Sequence, residues 1–287
     1  MRQLCIGDLH GSYDRLMTVL ENCKFSDSDI LYSLGDFCDR GIQNKKVLDF
    51  CMSLGDRFRP IIGNHDWWLY LWLRHHLVDN DEWDPGSRNE YESIDCWIGW
   101  NGGRNTYAEL KDEPRDWLEK LYNWLKPIPF ARRLGNKILI HSVAPDKEYA
   151  WRNREEWKDY TTVTLETLQK SGLIYDIVYD SNLWNRDVIQ SCKDYTQIGY
   201  KWPSFHQWAV DVFGKEFNGD TIYIIGHTPL DHPFYDRDRG IIGIDTGGFC
   251  DRKNGWDLDG SLTILDIDSL DWWTSKDKEK HSFKMKE

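Results

Sequence analysis

Five short blocks of metal- and phosphate-seeking side chains punctuate this chain. They are Gly7-Asp8-Leu9-His10-Gly11, Gly35-Asp36-Phe37-Cys38-Asp39-Arg40-Gly41, Gly63-Asn64-His65-Asp66, His141-Ser142 and Gly226-His227-Thr228-Pro229. Among them stand two carboxylates (Asp8, Asp36), one amide (Asn64) and three imidazoles (His10, His141, His227), an oxygen and nitrogen donor set without thiolate. Such a set suits Mn, Fe, Zn or Mg rather than a structural cysteine-bound zinc. Two divalent ions about 3.5–4 Å apart are the arrangement used for phosphoryl chemistry, and that spacing requires a shared carboxylate. Asp36, in the middle block, is the natural bridge. Planar guanidinium groups match phosphate oxygens two at a time, and Arg40 lies in the same block.

The blocks need elements that bring them together. Each follows a short apolar run: Gln3–Ile6, Ile30–Leu34, Arg59–Ile62, Ile138–Ile140 and Thr221–Ile225. Runs of this length and composition read as buried strands, so the ligands fall at the strands' carboxyl ends, the edge where open α/β sheets bind ligands. Asp8 and Asp36 stand 28 residues apart, as do Asp36 and Asn64. A strand–helix–strand unit takes roughly 30 residues, which returns each block to one edge. Between the first two, Leu16, Val19, Leu20 and Cys23 mark the apolar stripe of an amphipathic helix.

With the blocks in this order, the chain resembles the metallophosphoesterases and, within them, the phosphoprotein phosphatase branch, whose pattern is GDxHG, GDxxDRG, GNH(E), H and GH. Three further islands, Trp100-Asn101-Gly102-Gly103, Leu183-Trp184-Asn185-Arg186 and Ile244-Asp245-Thr246-Gly247, resemble stretches of the small bacterial and phage serine/threonine phosphatases such as that of bacteriophage lambda. The similarity runs from about Arg2 to about Asp268. The resemblance implies an α/β fold, a β-sandwich of mixed sheets flanked by helices with a dinuclear site at the strand ends. It implies Asp8 and His10 on the first metal, Asp36 bridging, and Asn64, His141 and His227 on the second. His65 is then the general acid, Asp39 orients it, and Arg40 and Arg186 clamp the phosphate. Manganese is the expected pair of ions, with Fe, Zn or Mg as alternatives. The family pattern has Glu where this chain has Asp66, a departure that weakens the case for protein substrates.

Other residues have plainer readings. Asp245-Thr246-Gly247 is reminiscent of the aspartic protease loop, but that chemistry needs two carboxylates sharing a proton and the chain has no second copy; a structural loop near the site is expected. His75, His76, His206, His232 and His281 carry no partner pattern. Cys5, Cys23 and Cys51 read as small core residues, and Cys38, inside the second block, is expected close to the ligands, with nothing in the sequence to support oxidative inactivation there. Sixteen tryptophans are present; Trp67, Trp68, Trp72, Trp83, Trp97 and Trp100 are expected mainly in the core, with an aromatic wall beside the metals as the alternative.

The 287 residues contain no linker, repeat or low-complexity tract, so a single domain over residues 1–275 is expected, with insertions at about 79–95 and within 144–218. The first insertion is expected to lie over or beside the pocket. A charged tail, 276–287, is expected to fray. No apolar run is long enough to cross a membrane, Asp8 leaves no room for a leader, and seven cysteines without paired spacing suggest reduced thiols and a cytoplasmic setting. A net charge of −12 argues against a nucleic-acid partner. The sequence assigns no oligomeric state.

The expected activity is hydrolysis of a phosphomonoester by in-line attack of a metal-bridging hydroxide. Serine/threonine phosphatase-like action on a phosphorylated protein is the leading reading. A symmetrical dinucleoside tetraphosphate hydrolase, acting on a small nucleotide, is the alternative. A nuclease ranks lower, and a non-catalytic scaffold lower still, since every ligand, His65, Asp39 and Arg40 are retained.

Overall fold

A computed structural model describes residues 1–79, 94–142, 161–171, 183, 184, 186, 220–251 and 260–284. Its strands form two mixed sheets. The first has six strands: β1 (Gln3–Ile6), β2 (Ile30–Ser33), β3 (Phe58–Pro60), β9 (Thr263–Asp266), β10 (Asp271–Thr274) and β11 (His281–Ser282), ordered β11-β10-β9-β1-β2-β3. The second has five: β4 (Ala131–Leu134), β5 (Lys137–Ile140), β6 (Ile222–Ile225), β7 (Phe234–Asp236) and β8 (Ile241–Gly243), ordered β4-β5-β6-β8-β7. Each contains a parallel trio (β1-β2-β3; β5-β6-β8); antiparallel strands extend the first trio beyond β1 alone and flank the second on both sides.

The two-residue alternation of strand side chains divides the core into layers. Cys5, Tyr32 and Leu265 of the first sheet meet Leu139, Ile224 and Ile242 of the second in an inter-sheet core. Their neighbours Leu4, Ile6, Leu31 and Ile264 point the other way, into a cluster with the helices. Ile140, Ile225 and Ile241 line the outer face of the second sheet. The strands are therefore apolar on both faces, which is why their sequences read as continuous apolar runs.

The helices that connect the first three blocks pack on the first sheet. Leu16, Val19 and Leu20 are buried in α1 (Tyr13–Asn22), and Cys23 is buried just past its end. Val47, Leu48 and Cys51 face the same cluster from α2 (Asn44–Ser53), as do Leu118, Leu121, Tyr122 and Leu125 from α6 (Arg115–Leu125). Between them runs α3 (Asn64–Arg74), in which every residue from Asn64 to Leu73 is buried. Trp67, Trp68 and Trp72 are thus core residues, as expected. Trp100, just past α4 (Ile94–Gly99), is 88 % exposed instead, and Trp83 lies outside the described residues.

The third strand differs from the Arg59–Ile62 run. It ends at Pro60; Ile61 N–H still donates to Ser33 O at 3.0 Å, but Ile62 N–H turns away to Pro129 O at 3.0 Å. In the charged tail, β11 pairs with β10 rather than fraying: His281 stacks on Trp272 and Phe283 packs against the inter-sheet core. The insertion at 79–95 lies outside the described residues over 80–93. Of 144–218, only α7 (Leu165–Ser171), its approach from 161 and residues 183, 184 and 186 are described.

Asp29 pins the start of β2 to the start of β1. Its buried carboxylate accepts hydrogen bonds from Arg2 N–H, Nε and Nη2, and from Ser26 N–H and Oγ. Burial opposes the charge, but Arg2 and Ser26 outweigh it and hold this carboxyl below the usual range. Its stabilising effect is therefore present above the unfolded-state value of about 3.9 and lost as pH falls toward the folded one. Asp29→Asn should cost about 1.5–3 kcal/mol at neutral pH. The gap from wild type in urea denaturation should shrink below about pH 4.

Candidate metal centre

All five blocks sit just past strand ends, on loops that leave the two sheets on the same side. Asp8 follows β1, Asp36 follows β2, Asn64 and His65 open α3 after β3, His141 follows β5 and His227 follows β6. Glycines allow the close approach: a Cβ at Gly63 would collide with the Asp36 carboxylate, and one at Gly226 with that of Asp8. The turns are strained. His10, Asp36, Asp39, Arg40 and His227 all have φ between 41° and 73°, a region costing a non-glycine residue on the order of 1–3 kcal/mol.

At the centre, Asp36 Oδ2 lies 3.5 Å from His10 Nε2, 3.5 Å from His141 Nε2 and 3.9 Å from His65 Nε2. Two buried trios of possible ligand atoms share this carboxylate: His10, Asp36 and His65; and Asp36, His141 and His227. Asn64 Oδ1 is 3.0 Å from His141 Nε2. Asp8 stands beside them, both of its oxygens accepting the His227 backbone N–H at 3.0–3.1 Å. Asp8, His10, Asp36, Asn64, His141 and His227 are therefore brought together, with Asp36 at the centre.

Backbone carbonyls set the imidazoles. His10 Nδ1 faces Cys38 O at 2.9 Å and His141 Nδ1 faces Leu34 O at 2.6 Å. A carbonyl only accepts, so each Nδ1 carries the proton and each Nε2 presents a lone pair. His227 is reversed: its Nε2 faces Trp184 O at 3.3 Å, leaving Nδ1 bare. Burial first, then neighbouring charge, disfavours protonation of all three. His10 and His227 are pushed well below their ordinary value, with Arg40 the leading charge on the one and Arg186 on the other, and burial lowers His141 despite Asp36. Burial opposes ionisation of Asp36 too, but His141, His65, His10 and Arg40 overcome it and hold that carboxyl below the usual range. Asp8 is raised well above it by burial, by Asp245 and by Asp36.

His65 and Asp39 form the expected dyad. His65 Nδ1 is 2.7 Å from Asp39 Oδ2, which also accepts Trp97 Nε1–H at 2.6 Å; Thr106 Oγ1 donates to Asp39 Oδ1 at 2.6 Å. Asp39 is thus locked by two residues that the motifs do not mark. Arg40 Nη1 reaches His10 Nε2 at 3.0 Å, and its guanidinium lies over the Phe249 ring, 4.6 Å from the centroid. The Trp100-Asn101-Gly102-Gly103 island holds this turn, through Arg40 N–H to Gly102 O at 2.8 Å. Arg186 Nη1 donates to His227 O at 3.1 Å and Thr228 Oγ1 at 3.0 Å, so both arginines border the cluster. Two aromatic rings border it as well. Phe249 meets His10 edge-on at 4.7 Å, and Trp184 meets His227 at 6.1 Å.

Asp66, where the family pattern has Glu, has a structural role that the motif does not mark. It is fully buried, and its carboxylate accepts the backbone N–H of Asp36 at 2.7 Å and of Phe37 and Gly63 at 2.9 Å. It stitches the second block to the third. Cys38, also fully buried, has its thiol pushed well above the usual range by burial and by Asp39, Asp66 and Asp36, which keeps it protonated and unreactive. The described cysteines are all free.

A family model of calcineurin-like phosphoesterases matches residues 1–274. The chain belongs to this family. It is a metallophosphoesterase hydrolase, and the family implies divalent metal ions. A symmetrical bis(5′-nucleosyl)-tetraphosphatase of Acidovorax sp. (strain JS42) is 45 % identical over 197 residues, which cover 66 % of this chain and 60 % of the relative. The chain spans less than two thirds of the length of the curated relatives it matches. Among solved structures, a candidate diadenosine tetraphosphatase shares the fold with a TM-score of 0.52 and 14 % identity, over 95 % of this chain and 92 % of that one. A cold-active protein-tyrosine phosphatase of a psychrophilic Shewanella sp. does so with 0.56 and 17 %, over 99 % and 80 %.

Divalent cations fit the donor set of this metallophosphoesterase on physical grounds. With its proton on Nδ1, His141 turns the Nε2 lone pair toward Asn64 Oδ1 at 3.0 Å and Asp36 Oδ2 at 3.5 Å, three lone-pair donors facing one another in a buried cluster. Charged groups so placed are costly unless a cation coordinates them. Among the described residues no helix is long and apolar enough to cross a membrane.

Truncating Asp66 tests the stitch between the blocks. Asp66→Ala leaves three buried N–H groups without acceptors, each worth about 1–3 kcal/mol. Urea denaturation should show a loss of about 3 kcal/mol or more.

Proposed function

We propose that this chain hydrolyses dinucleoside tetraphosphates symmetrically, releasing two nucleoside diphosphates. The alternative read from the sequence thereby displaces the serine/threonine phosphatase reading that led there. The observation that carries it is the 45 % identity to a symmetrical bis(5′-nucleosyl)-tetraphosphatase over two thirds of the chain; the structural likenesses support the fold alone. The geometry is compatible. A polyphosphate offers several oxygens to Arg40 and Arg186, and the partly buried rings of Phe249 and Trp184, one at each histidine trio, are surfaces on which a nucleobase can stack.

Asp8, His10, Asp36, Asn64, His141 and His227 are the residues that would hold two divalent cations, manganese being the expected pair. Such ions supply Lewis-acid activation of water and of phosphoryl oxygens. The chain's own residues do the rest. Arg40 and Arg186 grip non-bridging oxygens and balance their charge. Water adds to one of the two inner phosphorus atoms as its bond to the central bridging oxygen breaks. The electron pair departs with the second nucleoside diphosphate. His65, its Nδ1 held by Asp39, delivers a proton from Nε2 to that leaving oxygen, and the proton released by water passes to solvent.

A diphosphate leaving oxygen is a far weaker base than a serine alkoxide, so it needs the acid less. His65→Asn should therefore lower kcat by about 10²–10⁴-fold on a phosphoserine peptide and by clearly less on diadenosine tetraphosphate. The first test is kcat/KM of the chelator-stripped, manganese-reloaded protein on both substrates, with products resolved by chromatography. Preference for the dinucleotide with ADP as sole product is expected. Preference for the peptide, or release of AMP and ATP, would overturn the proposal.

A further inference from the structure

Asp245 takes no part in the chemistry above, yet it is a buried acid whose backbone lies against the turn that leads into Asp8. It follows β8 directly, and three strand ends converge there. Ile244 N–H donates to Ile225 O at 3.1 Å, which sets the end of β8 beside the end of β6 and His227. Gly7, leading from β1 into Asp8, passes so close that a Cβ on it would meet Ile244 O and lie 3.2 Å from Asp245 Cα. The Asp245 carbonyl accepts Leu230 N–H at 2.9 Å, which fixes the backbone.

The carboxylate is 1 % exposed. Its Oδ1 accepts Gly247 N–H at 2.8 Å, while Oδ2 is buried with no hydrogen-bond partner. Anchoring the 245–247 turn needs one acceptor, which Asn supplies equally well. The second oxygen is left without a hydrogen bond; burial and Asp36 oppose its charge, Arg40 and Arg186 favour it from across the site, and a buried carboxylate oxygen without a partner is costly unless a cation takes it up. Of the charged groups acting on Asp8, Asp245 is the strongest, ahead of Asp36.

We propose that Asp245 is a third buried carboxylate of the metal centre, whose charge and unpartnered oxygen beside Asp8 strengthen its hold on divalent cations. It lies outside the two histidine trios, so it acts from behind Asp8 rather than from the shared Asp36 position. The role holds whichever phosphoester is cut, and its test does not depend on turnover.

The experiment is Mn2+ titration of the full chain by calorimetry, wild type against Asp245→Asn and Asp245→Ser, with melting of the metal-free proteins alongside. Both substitutions retain an acceptor for Gly247 N–H. A loss of Mn2+ affinity of roughly 10–100-fold is expected, the size typical of groups supporting a metal's ligands. The metal-free variants should melt at or above the wild-type temperature, because like-charge repulsion beside Asp8 is relieved, and Mn2+ should raise their Tm less. Wild-type affinity in either folded variant would overturn the proposal. So would a lowered affinity accompanied in both by a lowered metal-free Tm, since Asp245 would then be only a prop for its turn.

Discussion

A single buried carboxylate, Asp36, governs how this molecule is arranged. Its Oδ2 is the point toward which His10, His65 and His141 converge, and its Oδ1 accepts the His65 backbone N–H at 3.0 Å at the start of α3. For those groups to meet, β1, β2, β3 and β5 must end at one level, and the turns that follow must fold back tightly. The chain accepts left-handed backbone at five motif residues to achieve this. Strain of that kind persists only where surrounding contacts over-determine it. Here they include the three N–H groups on Asp66, the Gly102 carbonyl on Arg40, and the Cys38 and Leu34 carbonyls on the imidazoles.

The positioning residues form a shell with its own logic. Asp39 would be a poor orienting group if it could swing, and Trp97 and Thr106 each take one of its oxygens. Arg40 would be a loose clamp without Phe249 beneath its guanidinium. The loop bearing Phe249 is in turn tethered by Arg15, whose Nη1 donates to Gly248 O, Cys250 O and Gly260 O. Precision at the centre rests on ordinary hydrogen bonds one residue farther out.

Much of this was legible in the amino-acid sequence, and the reason is physical. Strands buried on both faces leave apolar runs that stop abruptly where a polar group is needed, so Asp8, Asp36, Asn64, His141 and His227 could be placed at strand ends before any coordinates. The α1 stripe was readable because one face alone meets the sheet. What escaped notice depends on contacts distant in sequence: Thr106 and Trp97 reach Asp39 from 67 and 58 residues away, and nothing local marks them. The structural role of Asp66 is not legible because its motif shows a side chain but not the backbone N–H groups it touches. The end of β3 was misplaced because Ile62 bonds outside the sheet, a choice that apolar character does not reveal. The preference between substrates was not legible at all, since both classes need the same cluster.

The ligand atoms are divided between the two sheets. Asp8 and Asp36 leave the first, while His141 and His227 leave the second, and the sheets also adhere through the apolar layer between them and through hydrogen bonds such as Arg132 Nε to Pro60 O at 2.9 Å. Any ion held by both groups is therefore a rivet through the sandwich. Part of its binding free energy becomes resistance to the two sheets sliding or parting, and loss of the ions would loosen the whole molecule along that seam, not merely silence its chemistry.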